Sequence, residues 1–283
     1  MEIFKNPKAL RQHLMDRRAN QEKIAFVPTM GNLHAGHLSL VRHGLEKADT
    51  VVVSIFVNPL QFGAGEDLES YPRTLDDDIE QLEAEGAQVV FTPDTDTLYP
   101  DGLTQHTKVA VPELADKLCG QRRTGHFDGV TTIVCKLLNL VHPDIALFGE
   151  KDLQQLLVIR KMVEDLAMPV QIQGVATCRA EDGLALSSRN GYLSPSQRAL
   201  APEIYRSLLG IGEAIRGGAT DFLQLCRAAA DRLEQQGFDV EYLEARRCQD
   251  LSAAQPGDED VAIFIAAMLG ETRLIDNFQI NRY

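Results

Sequence analysis

At 283 residues, with 44% hydrophobic and 24% charged side chains, the chain can form one large domain or a larger and a smaller one, and disordered, collagenous and disulfide-dense classes are excluded. A formal net charge of −13 argues against broad adsorption to nucleic acid or anionic lipid, so an anionic ligand would need a local site. Five cysteines in no CxxC spacing, no signal-type apolar core at the N-terminus and only strand-sized apolar runs predict a soluble cytoplasmic chain with reduced thiols, without nucleic-acid or membrane partners.

Ile24 to Val27 reads as a strand closed by Pro28 and Gly31, and residues 34 to 47 place Leu38, Val41 and Leu45 at helical spacing. Val51 to Val57 is a continuous β-rich run, as expected of a strand buried on both faces of a parallel sheet. The alternation continues: helix 76–85, strand 88–91, helix 130–141, strand 145–148, helix 152–166, strand 170–175. Such a pattern predicts an α/β sheet with helices on both faces. After Cys178, two long helices (196–216 and 221–236) are followed by strands at 240–244, 261–266 and 272–276. A smaller α+β domain is therefore expected, dividing the chain into 1–177 and 178–283.

Four segments carry candidate chemistry. The first, PTMGNLHAGH at 28–37, opens a helix directly after a strand, where free backbone N–H groups and the helix dipole favour an anion. His34 and His37 share a face of its first turn and can donate to phosphate oxygens, while Gly31 and Gly36 admit a nucleotide close to the backbone. Zinc is a competing reading of the pair, but HxxH lacks the HExxH spacing and an obvious third ligand. The second, Gly149-Glu150-Lys151-Asp152, lies at the same carboxyl edge of the sheet, where Lys151 is a point charge for phosphate; it reads equally as a capped helix start with a solvated lysine. The third, Leu186-Ser187-Ser188-Arg189-Asn190, suits phosphate contacts, although its composition alone reads as a polar interdomain turn. The fourth, Asp76-Asp77-Asp78 with Gln81, offers oxygens for Mg²⁺ or simply an acidic first turn that complements the helix dipole. Gln61, leaving the sheet after the second strand, is sited to hydrogen-bond a small polar substrate. The nearby GAG at 63–65 lacks the third glycine and following helix of a dinucleotide fingerprint.

Taken together and in this order, PTMGNLHAGH, SIFVNPLQFG, YPRT-DDD, GHFDGV, FGEKD-QQL and LSSRN resemble the pantoate–β-alanine ligase family over essentially the whole chain. The resemblance implies a Rossmann-like N-terminal domain with a smaller C-terminal lid, a cytoplasmic homodimer, and Mg²⁺-dependent conversion of pantoate, β-alanine and ATP into pantothenate, AMP and pyrophosphate. It further implies an ATP site at Met30, Gly31, Asn32, Leu33, His34, Ala35, Gly36 and His37, with His37 the usual proton donor. Gly149, Glu150, Lys151 and Asp152, Cys178, and Leu186, Ser187, Ser188 and Arg189 would also contact the nucleotide. Gln61 and Gln155 would hold pantoate, and Asp77, Asp78 and Gln81 would surround magnesium. Leu186 stands where the family commonly has Met, and Cys178 where an apolar residue is common.

Overall fold

The computed structural model describes residues 1–63 and 65–281, so Ala64 of the GAG segment lies outside the described residues. The chain divides into two compact units. The first comprises Met1–Asp116, Gly120–Glu150 and Gln154–Ala176; the second comprises Lys117–Cys119, Lys151–Leu153 and Thr177–Tyr283.

The first unit is built on six parallel strands: β1 (Glu2–Phe4), β2 (Ile24–Thr29), β3 (Thr50–Ile55), β4 (Val89–Phe91), β5 (Ile145–Gly149) and β6 (Gln171–Val175). Their spatial order is β1-β4-β3-β2-β5-β6. The chain thus works outward from β2 through β3 to β4, then returns to the opposite side of β2 to lay down β5 and β6. That reversal between β2 and β5 is the topological switch point at which open α/β sheets take ligands. Among the helices, α1 (Pro7–Ala19), α2 (Ala35–Leu45) and α3 (Leu75–Glu85) precede the single-turn α4 (Thr95–Leu98) and α5 (Cys119–Arg122), which are followed by α6 (His126–Val141) and α7 (Leu153–Asp165).

Alternation along the strands assigns the two faces. Ala25, Val27, Val51, Val53 and Val90 pack with Leu40 and Val41 of α2 and Leu82 of α3. Ile24, Phe26, Val52, Val89 and Phe91 are equally buried, and each such side chain contributes roughly 1.5–3 kcal/mol. Pro28 shapes the middle of this sheet. Ile24 faces β5, its N–H donating to Asp144 Oδ2 and its carbonyl accepting from Asp144 N; Thr29 faces β3, its carbonyl accepting from Phe56 N. Residues of a parallel strand alternate between neighbours, so Pro28 turns to β5, where it has no N–H to offer. Accordingly β2 pairs with β3 through Thr29 and Ile55, but its pairing with β5 ends at Phe26 and Ala146. The sheet opens between β2 and β5 at their carboxyl ends.

The second unit holds an antiparallel sheet, β7 (Phe238–Arg247), β8 (Asp260–Leu269) and β9 (Thr272–Asn281), with the helices α8 (Pro195–Leu200), α9 (Glu203–Arg216) and α10 (Phe222–Gln235). Ile204, Leu208, Ile211 and Ile215 of α9 and Phe222, Cys226, Ala229 and Leu233 of α10 meet alternate residues of β8, Val261, Ile263 and Ile265. The expected α/β class, with a Rossmann-like parallel sheet and a smaller C-terminal α+β unit, is what the chain forms.

Local differences from the sequence reading have simple causes. The helix expected over 196–216 is two helices, because Pro202 cannot donate within a helix and the second begins after it. β1 and α1 were not anticipated: β1 has three residues, and α1 buries only Leu10 and Leu14, too few to show a periodic stripe. Its start was nevertheless marked, since Asn6 caps Lys8 N and Ala9 N and Pro7 holds the first position.

Candidate active site

The turn after β2 is wound by two consecutive left-handed residues, Gly31 (φ 81°) and Asn32 (φ 49°). Glycine accepts that conformation readily; asparagine is among the few other residues that do. Across 46 positions of sequence, Asp78 holds the turn closed: its Oδ2 accepts from Asn32 N at 2.9 Å and its Oδ1 from Leu33 N at 2.7 Å. Thr74 Oγ1 also donates to Oδ1 at 3.2 Å, and the Asp78 residue is 1% exposed. A Cβ on Gly31 would stand 3.0 Å from Asp78 Oδ2, so the carboxylate and the glycine are matched.

Beyond the turn, His34 caps α2. Its Nδ1 accepts from Gly36 N at 3.1 Å, while His34 N donates to His37 Nδ1 at 3.4 Å. The imidazole pair therefore forms a capping box of its own, with ring centroids 4.1 Å apart. In both rings acceptance at Nδ1 puts the hydrogen of the neutral tautomer on Nε2, making each Nε2–H a donor at the helix N-terminus. Two such donors beside a positive helix end suit phosphate oxygens.

Gln61 follows β3 in a short 3₁₀ turn, Pro59–Gln61. Its carbonyl accepts from His126 Nδ1 at 2.7 Å and from Arg123 Nη2 at 3.3 Å. Donation from Nδ1 leaves His126 Nε2 to accept from Arg123 Nη1 at 2.9 Å, and Arg123 in turn forks onto Glu66 (2.7 and 2.5 Å). Burial alone would push the Glu66 carboxyl up, but Arg123, the Gly63 amide and His126 hold it below its ordinary range. At the side chain, Asn58 Nδ2 donates to Gln61 Oε1 at 3.3 Å, and Gln61 Nε2 lies 2.8 Å from Met30 Sδ. Asn58 is 1% exposed; it also donates to Gly129 O at 3.1 Å and accepts from Tyr99 Oη at 3.0 Å. Burial pushes the Tyr99 phenol up to about 12, so it stays a neutral donor. Gly129 lets α6 press on this turn: a Cβ there would come within 2.2 Å of Leu60 O and 2.7 Å of Gln61 N.

The first unit thus brings Met30 to His37 together with Asp78 and sets Met30 against Gln61. Gly149 ends β5 across the opened sheet, Glu150 follows it, and Gln155 is half-buried on α7. Asp77 is exposed and Gln81 half-buried on α3, where Gln81 Nε2 donates to Asp77 O at 3.3 Å. Asp78, expected beside magnesium, instead turns inward onto backbone amides. Among the described residues no group of three or more His, Cys, Asp or Glu side chains could hold a metal ion. A magnesium ion brought by a nucleotide would take most of its ligands from phosphate and water.

In the second unit, the carbonyl of Lys151 accepts from Asn277 Nδ2 at 2.9 Å, and Lys151 Nζ lies 3.9 Å from Asp152 Oδ2. Cys178 O accepts from Leu186 N at 3.0 Å, closing a hairpin that leads into the 3₁₀ segment Ser188–Tyr192. Ser187 caps that segment, its Oγ accepting from Arg189 N at 3.3 Å. Sequence reasoning passed over Asn58, Glu66, Tyr99, Arg123, His126, Arg179, Asp276 and Asn277. Asn58 and His126 carried a signal, inside SIFVNPLQFG and GHFDGV, and there without a role.

The family model for pantoate-beta-alanine ligase matches residues 2–279. A pantothenate synthetase of Pseudomonas aeruginosa is 55% identical over 281 residues, covering 99% of both chains, and that of Pseudomonas entomophila is 54% identical over 99% of this chain and 98% of its own. The crystal structure of pantothenate synthetase from Thermus thermophilus superposes with a TM-score of 0.93 at 42% identity, over 99% of this chain and 100% of that one. A pantoate-beta-alanine ligase from Francisella tularensis, complexed with beta-gamma ATP and beta-alanine, gives 0.81 at 35% identity over 98% and 97%.

Proposed function

The chain belongs to the pantoate–β-alanine ligase family, and from that premise we propose how its own residues divide the work. The reaction is the ATP-dependent joining of pantoate to β-alanine, giving pantothenate, AMP and pyrophosphate. The observation that carries the assignment is the full-length likeness to pantothenate synthetases, supported by a histidine-capped helix start at the switch point of the sheet.

In the proposed course, a carboxylate oxygen of pantoate, held by Gln61 and Gln155, attacks the α-phosphorus of ATP, and the bond to pyrophosphate breaks. His34 and His37 donate from Nε2 to phosphate oxygens as charge moves onto the leaving group. Lys151, Ser187, Ser188 and Arg189 are assigned the remaining phosphate contacts, with Met30 to Gly36, Gly149, Glu150, Asp152, Cys178 and Leu186 lining the nucleotide. The β-alanine amine then attacks the acyl carbon, loses a proton, and AMP departs. Catalysis is positioning and charge stabilisation, with no covalent enzyme intermediate. Magnesium on the nucleotide would neutralise phosphate charge, with Asp77 and Gln81 as the oxygen donors open to it on α3. The second unit is assigned the part of a lid that keeps water from the adenylate. Among the described residues no helix is long and apolar enough to cross a membrane; a cytoplasmic homodimer completes the proposal.

A coupled assay of AMP and pyrophosphate, with and without pantoate and β-alanine, tests this. Pyrophosphate should appear only with pantoate, AMP and pantothenate only when β-alanine is added as well, and His37→Ala should slow pyrophosphate release by more than about tenfold, a barrier change of ~1.4 kcal/mol. Pyrophosphate released without AMP when both pantoate and β-alanine are present, the nucleotide staying on the product, would overturn the ligase assignment.

A further inference from the structure

The hairpin of the second unit that precedes Ser187 is tied down by charge. Ala180 N donates to Leu184 O at 2.9 Å, Arg179 bridges to Ala185, and Gly183 turns the chain at φ +95° hard against Tyr205, whose ring a Cβ would approach to 2.7 Å. Arg179, at the base, lies over that ring at 3.6 Å and donates to Gly183 O at 3.1 Å. Its guanidinium then forks onto Asp276 Oδ2 and Oδ1 at 2.6 and 2.9 Å. The Asp276 side chain is 2% exposed on β9. The next residue, Asn277, donates from its backbone N–H to Asp276 Oδ1 at 2.8 Å and from Nδ2 to the carbonyl of Lys151 at 2.9 Å. One dipeptide step of a strand therefore grips two distant segments, one bearing Lys151 and the other leading to Ser187, Ser188 and Arg189.

Stability alone does not account for this arrangement. A buried ion pair recovers its desolvation cost only with good geometry, and a well-packed apolar pair would hold a hairpin as firmly. What a bidentate guanidinium–carboxylate pair adds is a set angle and register. An amide donating to a main-chain carbonyl likewise adds little apolar burial but defines where the lysine backbone sits.

We propose that Asp276 and Asn277 are positioning residues for the adenylation half-reaction: Asn277 aims Lys151 through its carbonyl, and Asp276, through Arg179, sets the segment that presents Ser187 to Arg189. This rests on the assignment of Lys151 and Ser187 to Arg189 to the phosphates of ATP. Neither positioning side chain need touch substrate.

The test separates the half-reactions. Single-turnover pyrophosphate release from ATP and pantoate, the KM for ATP and for β-alanine, and thermal melting are measured for wild type, Asn277→Ala, Asn277→Asp and Asp276→Asn. For both Asn277 variants, pyrophosphate release or KM for ATP should worsen by about tenfold or more while KM for β-alanine stays within about twofold, because a misplaced phosphate contact acts on the first transition state. Asp276→Asn keeps the shape and removes the charge met by Arg179, and the same split is expected. Wild-type kinetics in folded Asn277→Ala, or a loss shared equally by both half-reactions alongside a falling melting temperature, would overturn the inference in favour of a merely structural role. If Asp276→Asn does not fold, the two Asn277 variants decide. Should wild type itself release no pyrophosphate with pantoate, the functional assignment fails and the inference with it.

Discussion

Asp78 is where a structural and a metal-binding role make opposite predictions. Asp78→Ala would strand the N–H groups of Asn32 and Leu33, of which Leu33 is buried, and remove the partner of Thr74. A buried donor left unsatisfied costs about 1–3 kcal/mol, and the half-buried Asn32 amide costs less, so the two together cost roughly 2–4 kcal/mol. Against a total stability of about 5–15 kcal/mol this is large, and the urea midpoint should fall by roughly 1–2 M at unchanged slope. Asp78→Asn is the sharper variant. Its Oδ1 can still accept from one amide, but its Nδ2 meets the other donor to donor, for a cost of about 1–3 kcal/mol. Urea denaturation followed by circular dichroism gives the stability, and activity titrated with magnesium gives the metal dependence. Destabilisation with the half-saturating magnesium concentration within about twofold of wild type is expected; a shift of tenfold or more, ~1.4 kcal/mol, at unchanged stability would refute the argument and make Asp78 a ligand.

Other expectations follow from the support of Gln61. In Gly129→Ala the new methyl would lie 2.2 Å from Leu60 O, so the turn must move; KM for pantoate should rise about tenfold while KM for ATP changes little, and equal changes in both would dissociate Gly129 from Gln61. Glu66 has a folded-state pKa held below its unfolded value, so its stabilisation is fully present above the unfolded value of about 4.3 and is lost as pH falls through the folded value. Glu66→Gln should therefore melt lower than wild type near about pH 7, and the gap should narrow as pH falls below about 4.3. A gap that persists undiminished in acid would show that the carboxylate is not the source.

What could be read from the sequence was whatever announced itself locally. Val51 to Val53 declare a buried strand, and the two histidines declare an anion site because their chemistry and their place at a strand-to-helix turn coincide. The site around Gln61 was half legible: its side chain was chosen, but the groups that hold its carbonyl, Arg123 and His126, lie more than 60 residues away, and no spacing rule links them. Asp78 illustrates a different limit. Its position in an acidic first turn invited dipole or magnesium explanations, since residues 76 to 78 look alike in sequence; burial separates Asp78 from Asp76 and Asp77. Asn277 gave no local sign at all, because a main-chain carbonyl as partner leaves no trace in the identity of Lys151.

Pro28 carries a wider consequence. A sheet that loses a rung between β2 and β5 has an open seam at its topological switch point, at the edge to which we assign the nucleotide. Replacing Pro28 with a residue able to donate would let that seam zip further, gaining cohesion as it narrowed the mouth. The missing N–H is a vote for access over robustness, and a search for more heat-resistant variants that converged on this position would be selecting against turnover.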